Sequence, residues 1–384
     1  MEPSWYLKCF DRTWERILSN SVDQMRILAN DIGGLTQDIL LLDTTQTIEN
    51  CVKMIMPSPT FNLARKIRTA THNKQSIFFT GVNMGGGPSK KALAAHLKAG
   101  FQACATAEAA ATFDDDLEQV IQMGVNIISE NEAPDEAARI ETRDLDLITV
   151  EKALAAFEVD TNLDAVAIAV LDHGAAPRGA SDRAFRFQCL QETVQKRRNL
   201  IDFAYLADEI PAHLTRMKAV AQSERERDLP LLVMDTPVAA AIGAIEDAMV
   251  ASNTHRVIVN VGNFHTLAFH LQESTILGFF EHHTKLLNGE KIDNLVARLV
   301  SGELTNEEVF NDDGHGCLIL ESSSKIPFVT VTGPQRHLMS KSRFNPHFAA
   351  PYGDMMLTGC FGLVRAFAQR SDELREEIER SLSP

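Results

Sequence analysis

Asn30-Asp31-Ile32-Gly33-Gly34-Leu35-Thr36-Gln37-Asp38 and, far downstream, Val259-Asn260-Val261-Gly262-Asn263-Phe264-His265-Thr266 share one grammar. Each follows an aliphatic run (Met25 to Ala29; Val257 to Val259), passes a short polar residue, turns at glycine, meets a threonine and leaves on a second apolar run. That pattern predicts a strand, a tight turn and a returning strand in both halves of the chain. Glycine permits positive φ and close approach of a ligand, while turn N–H groups and the Thr36 and Thr266 hydroxyls are donors suited to phosphate oxygens. Either stretch alone is equally the signature of an ordinary glycine hairpin. Two in one chain are suited to gripping one polyphosphate from opposite sides.

Other segments fall in order around the second hairpin. Asp235 to Ala244 opens a small-residue helix, with Pro237 near its first turn and polar cap candidates ahead of it. Phe328 to Pro334 reads as a buried strand ending in Gly333, and Pro351 to Val364 as another helix thin in side chains. This order resembles the actin-like ATPase superfamily, which includes actin, the seventy-kilodalton heat-shock chaperones and the sugar kinases. Its phosphate-1, connect-1, phosphate-2, adenosine and connect-2 segments all have counterparts here, between residue 26 and about residue 366. The strings at 31–38, Asp172-His173-Gly174 and Tyr352 to Gly359 are similar, more narrowly, to a prokaryotic family labelled pyruvate formate-lyase activating enzyme-like. A radical enzyme of that kind would need a Cys-x3-Cys-x2-Cys motif, which this sequence lacks.

The resemblance implies an α/β protein with the two-lobed actin-like ATPase (ribonuclease H-like) fold, mixed sheets being flanked by helices. Residues 1–23 would be an N-terminal extension. Residues 24–235 would form a first lobe with an inserted helical subdomain, and 236–384 the connect-1 helix and second lobe. It also implies ATP and Mg2+ as cofactors. Gly33, Gly34, Thr36, Gln37, Gly262, Asn263, Thr266, Gly333 and Pro334 would bind nucleotide, and Asp31 and Asn260 would face the hydrated metal. Asn260 stands where the superfamily places a carboxylate, so it brings an acceptor without charge, and hydrolysis is expected to be slow. At connect-1, Thr236 is a poor base, so Asp235 or Asp172 is expected to orient the nucleophile. Gly359 and Gly362 would allow close packing between lobes. The expected activity is an ATP-binding, slowly hydrolysing switch acting on a partner protein or small substrate. A silent scaffold and a small-molecule kinase are the alternatives.

Composition limits the partners. A formal charge of −15 over 384 residues gives no long-range attraction to nucleic acid or anionic lipid, so neither is expected. The six cysteines show no short-range pairing, which argues against a disulfide framework or thiolate metal site. No apolar run is long enough to span a bilayer, and a cytoplasmic location is expected.

Between the hairpins, Ser76 to Thr80 reads as a strand running into the glycine loop Gly81 to Lys91 and then a helix. That arrangement is an anion cradle or a plain connection. Ala133 to Thr142 reads as helical. Ala165 to Leu171 reads as a buried strand with Asp172-His173-Gly174 at the carboxyl end, where ligands bind in open α/β sheets. There Asp172 either serves a site or simply caps a turn. Phe185 to Glu226 reads as a charge-rich helical lid. Asn311 to Cys317 can be read as a metal loop but reads better as a polar turn, since its ligand set is mixed and no second cluster completes a site, and His282-His283 reads the same way.

Overall fold

The computed structural model describes residues 24–382. The expected extension at 1–23 therefore lies outside the described residues. The first lobe starts with β1 (Arg26–Ile32), β2 (Thr36–Asp43) and β3 (Val52–Pro57), an antiparallel meander in which Asp31 pairs with Asp38 across the glycine turn. Helix α1 (Pro59–His72) follows, with the Ser58 hydroxyl accepting from the Phe61 amide and Pro59 in the first turn. The chain then leaves to build a separate sheet of four parallel strands in the order β6-β5-β4-β7. These are β4 (Ile77–Gly81), β5 (Ala103–Ala105), β6 (Val125–Ile127) and β7 (Ala138–Thr142). Helix α2 (Gly87–Lys98) packs on α1, and the unit has its own core around Phe79, Leu93 and Val120.

The first lobe resumes with β8 (Ala165–Val170), α3 (Asp182–Arg197), β9 (Ala204–Leu206) and β10 (Leu231–Met234), closing the sheet order β3-β2-β1-β8-β10-β9. After helix α4 (Thr236–Ile245) the second lobe repeats the plan. Its strands are β11 (His255–Val261), β12 (His265–Gln272), β13 (Thr275–His283), β14 (Gly316–Ile319), β15 (Phe328–Thr332) and β16 (His347–Phe348), ordered β14-β13-β12-β11-β15-β16. In both sheets a three-strand antiparallel meander is extended by two strands parallel to the first, and β9 then closes the first sheet antiparallel to β10. The duplicated topology is the two-lobed actin-like ATPase fold.

Helix α4 and helix α5 (Thr358–Arg370) cross between the lobes and share one core with both sheets. Strand β8 shows how the sequence permits this. Its alanines, Ala165, Ala167 and Ala169, belong to the core containing the crossing helices, and its bulkier Val166, Ile168 and Val170 belong to the core on the other face. Successive side chains point to opposite faces, so one strand offers a thin side to α5 and a thick side to the outer layer.

Two sequence expectations are corrected. The segment 133–142 is not helical. β7 pairs in parallel with β4, Ile140 and Thr142 are buried, and Arg139 and Glu141 are exposed, which is a period of two. The inserted unit is the four-stranded sheet between β3 and β8, not the helical stretch 185–226. Helix α3 buries Phe187, Leu190 and Val194 in the central core, and the helix Thr215–Ser223 buries Met217 and Val220 in the outer one. Among the described residues no helix is long and apolar enough to cross a membrane.

Candidate functional site between the lobes

The two glycine turns are built alike. The Gly33 amide donates to the Thr36 carbonyl and the Gly262 amide to the His265 carbonyl, both at 2.9 Å. These two N–H groups therefore close their own turns, and ligand donors must come from later turn amides. The turns also meet. A methyl group added at Gly34 would lie well inside 3.0 Å of the Phe264 ring of the facing lobe, which would have to swing aside.

Together they line one cavity of about 890 Å³, near the upper end of the range for small-molecule sites. Of the sequence candidates, Asp31, Gly33, Gly34, Thr36, Asp172, Thr236, Asn260, Gly262, Asn263, Gly333 and Pro334 all line it. Gly333 has a φ of +97°, and a Cβ there would lie 2.8 Å from Asn260 Oδ1. Glycine is thus needed for backbone and for space.

Three candidates do not face this cavity. Gln37 is used locally, accepting from Asn30 Nδ2 at 3.1 Å and donating to the Pro57 carbonyl at 3.2 Å. Thr266 is fully buried and its hydroxyl pairs with that of Thr284 at 2.9 Å. Asp235 is a correction to the expected nucleophile-orienting role. It is buried at the start of α4, and its carboxylate is taken up by Arg186, with Oδ2 to Nη1 at 2.9 Å and Oδ1 to Nη2 at 3.2 Å.

Arg186, on α3, joins the lobes. Its Nε lies 2.9 Å from both Glu281 oxygens on β13, and its Nη1 also donates to the Asp172 carbonyl at 2.8 Å. Although burial opposes ionisation, Arg186 and the nearby His315 and His265 hold Glu281 well below the usual glutamate range.

The carboxylates at the first turn have the opposite character. Burial, then the neighbouring Asp38, push Asp31 well above the ordinary aspartate value, and the nearby Thr236 hydroxyl offsets this only partly. Burial and Asp354 lift Asp38 to about 7. Asp31 Oδ1 and Asp38 Oδ1 are both buried without a hydrogen-bond partner. Two acids with orphaned oxygens in one cavity form an incomplete arrangement that a hydrated cation would complete. Gly359 makes room for it, since a Cβ there would collide with Asp31 Oδ2. Asp38 was legible in sequence only through hairpin pairing, which sets it directly opposite Asp31.

Asp172 is nearly all buried, and burial raises it to about 6 although the Met217 and Gly174 amides donate to it at 2.9 and 2.8 Å. It caps this turn, as one sequence reading has it, and it also lines the cavity. The inserted sheet supplies the remaining wall, including Asn83, Gly85 to Gly87 and Asp115.

One pH effect follows from Asp38. Its folded value of about 7 exceeds the ordinary 3.8, so between those values the folded state holds a proton that the unfolded state has lost. Stability of the metal-free chain is expected to fall as pH rises through this window. The Asp38→Asn variant should show a flatter slope by urea unfolding at several pH values.

A further cluster was missed by reading 311–317 as an isolated polar turn. Folding brings His315 against His173 and His265, with ring centroids 5.8 and 4.9 Å away. His173 and His265 are 5.2 Å apart and both line the cavity. Burial drives His173 well below the usual histidine range and His315 to about 3, so both are neutral near pH 7.

Among solved structures, a Listeria monocytogenes protein titled "a putative N-acetylmannosamine kinase" aligns at 10% identity and a TM-score of 0.34, covering 90% of this chain and 99% of its own. The activator of the 2-hydroxyisocaproyl-CoA dehydratase from Clostridium difficile, with bound ADPNP, aligns at 11% identity and 0.34, covering 92% and 98%. The ethanolamine utilization protein EutJ from Carboxydothermus hydrogenoformans aligns at 11% identity and 0.32, covering 91% and 92%. No curated protein matches the chain. A sequence-family profile matches residues 84–338, and on that match the chain belongs to the family described as "Putative pyruvate format-lyase activating enzyme (DUF1786)".

Proposed function

We propose that the chain binds ATP with Mg2+ in the interlobe cavity and hydrolyses it slowly, with lobe closure as its output to a partner protein or small substrate. The observation that carries this reading is the meeting of two like-built glycine turns over one cavity that also holds the orphaned Asp31 and Asp38 oxygens. The cavity wall carries acids, with Asp31 and Asp38 at the first turn, as well as the cations Lys90, Arg178, Arg183 and Arg216, so a bare triphosphate would meet repulsion where those two carboxylates ionise. A dication offsets that repulsion and polarises the phosphoryl group when bound.

Asp31 and Asp38 would hold the hydrated Mg2+, with Asn260 accepting from one of its waters as a neutral group. The later turn amides and the Thr36 hydroxyl would donate to phosphate oxygens, and Gly333 and Pro334 would lie along the nucleoside. Asp172, poised near pH 6, would accept the proton of the attacking water, and the Thr236 hydroxyl, beside Asp31, would orient it. The family description does not transfer as an activity. The described cysteines, Cys51, Cys104, Cys189, Cys317 and Cys360, are free and form no metal-binding group, so they do not fit an iron–sulfur cluster.

Saturating ATP with Mg2+ is expected to raise the melting temperature, worth about 2.7 kcal/mol at a hundredfold excess over Kd. Asp31→Asn should abolish the Mg2+-dependent part of the shift while leaving nucleotide-free stability near wild type or higher. An unmoved wild-type melting curve at millimolar MgATP would leave the silent scaffold as the correct reading. Asn260→Asp is expected to speed phosphate release by restoring a charge at the second turn, and Asp172→Ala to abolish it. Unchanged turnover in Asp172→Ala would remove that residue from the chemistry.

One observation favours phosphotransfer to a small acceptor as a second reading. The cavity extends past the turns to Asn83, the Gly85 to Gly87 loop and Asp115 on the inserted sheet. ADP release measured with and without a panel of polyols and hydroxy acids separates the two, since a kinase accelerates only with its acceptor.

A further inference from the structure

The three histidines, two of which (His173 and His265) line the cavity, come from distant parts of the chain. His173 follows β8 in the first lobe, His265 opens β12 just after the second glycine turn, and His315 precedes β14. Their donor nitrogens all lie within 4.8 Å of one another. A tetrahedral ion with bonds of about 2.0–2.1 Å holds its ligand nitrogens about 3.4 Å apart, so modest side-chain rotation closes the remaining gap.

Two further observations point to a ligand. His315 is 1% exposed, yet neither of its ring nitrogens has a hydrogen-bond partner. A buried polar group left unpaired costs about 1–3 kcal/mol, and two on one ring call for an occupant. His265 Nδ1 lies 2.9 Å from Glu281 Oε1, and Glu281 is itself fixed by Arg186. A carboxylate behind a histidine fixes the ring and raises the basicity of its other nitrogen, as in histidine metal sites generally. The backbone assists, because the His315 amide donates to the Glu281 carbonyl at 2.9 Å.

We propose that His173, His265 and His315 form a binding site for a transition-metal dication of the zinc class, with its remaining coordination position toward the interlobe cavity. An all-imidazole ligand set suits zinc and its first-row neighbours and is wrong for Mg2+, which takes oxygen ligands. The site is therefore distinct from the carboxylates at the first glycine turn and stands whether or not nucleotide binds there. Because His173 belongs to one lobe and the other two ligands to the second, the ion would also tie the lobes together.

The test uses the full chain without a histidine tag, stripped with chelator and titrated with Zn2+ by calorimetry and with Co2+ by visible absorption. The expected result is one equivalent bound, a Co2+ spectrum of a four- or five-coordinate nitrogen site, and a higher melting temperature that chelator reverses. His315→Ala and His173→Ala should each weaken binding by more than the roughly 10–100-fold that loss of an outer-shell partner costs. The exposed His337→Ala should bind as wild type. If His315→Ala fails to fold, judged by circular dichroism, His173→Ala decides. No stoichiometric binding by the wild-type chain, or binding with wild-type affinity by a folded His173→Ala or His315→Ala variant, overturns the proposal.

Discussion

Arg186→Ala is expected to lower stability by about 3–5 kcal/mol, the usual cost of breaking a buried ion pair by removing one partner. Arg186 has a side-chain exposure of 2%, with Asp235 at 4% and Glu281 at 0%. Without the guanidinium, two carboxylates and the Asp172 carbonyl face one another with no compensating donor from that residue. Urea unfolding at pH 7 measures the loss.

Two checks separate this from simple cavity formation. The triple variant Arg186→Met, Asp235→Asn, Glu281→Gln should recover most of the loss, since replacing a buried charged group as a set is far cheaper than orphaning part of it. The pH slopes should also differ in steepness. In the wild type Glu281 is depressed below its ordinary 4.5, so its contribution is present above that value and lost as pH falls further. In Arg186→Ala the unpaired carboxylates would have further raised values, so that variant should gain more stability than the wild type as pH falls from 7 toward 5. Parallel slopes would show that Arg186 is not the charge partner its geometry makes it.

The second large effect is expected at the helix crossing. A Cβ at Gly243 would lie well inside 3.0 Å of the Thr358 carbonyl, and one at Gly362 well inside that distance of the Ala239 carbonyl. In each case the obstacle is backbone, which cannot rotate away. Alanine gains about 1 kcal/mol over glycine in helix propensity, but forcing α4 and α5 apart costs about 1–3 kcal/mol or more. Overlap with backbone sits at the upper end, so Gly362→Ala should lose a net 2 kcal/mol or so.

The pair should not add. The two glycines face each other, with a Cβ on either within 2.9 Å of the other's amide nitrogen. Once the helices have separated for one methyl group the second finds room, and the double variant should cost less than the two single losses together. Additive losses would mean that the helices bend locally instead of moving as bodies. Because α4 and α5 join the lobes, Gly362→Ala should also weaken nucleotide binding without touching a ligand contact.

Much of the fold was legible because its signals are local. The Gly33 and Gly262 turns, the strand at 328–332 and the alternating small and branched residues of β8 are set by backbone and side-chain properties that act within a few residues. The parts misread were those whose signal is weak or distant. β5 and β6 are three residues each, too short to show a period, and β7 was mistaken for helix because only pairing with β4 stabilises it as a strand.

For the site, sequence alone determined the pair of glycine turns, a carboxylate at Asp31 and an amide at Asn260 in corresponding places, and the absence of a cysteine cluster motif. Tertiary structure decided which neighbours those residues have. It turned Asp235 onto Arg186, turned Thr266 into the second lobe, set Asp38 beside Asp31, and gathered His173, His265 and His315. The physical reason is that a residue's type states what it can bind, whereas burial and the groups facing it, supplied by other elements of the fold, decide what is left for it to bind.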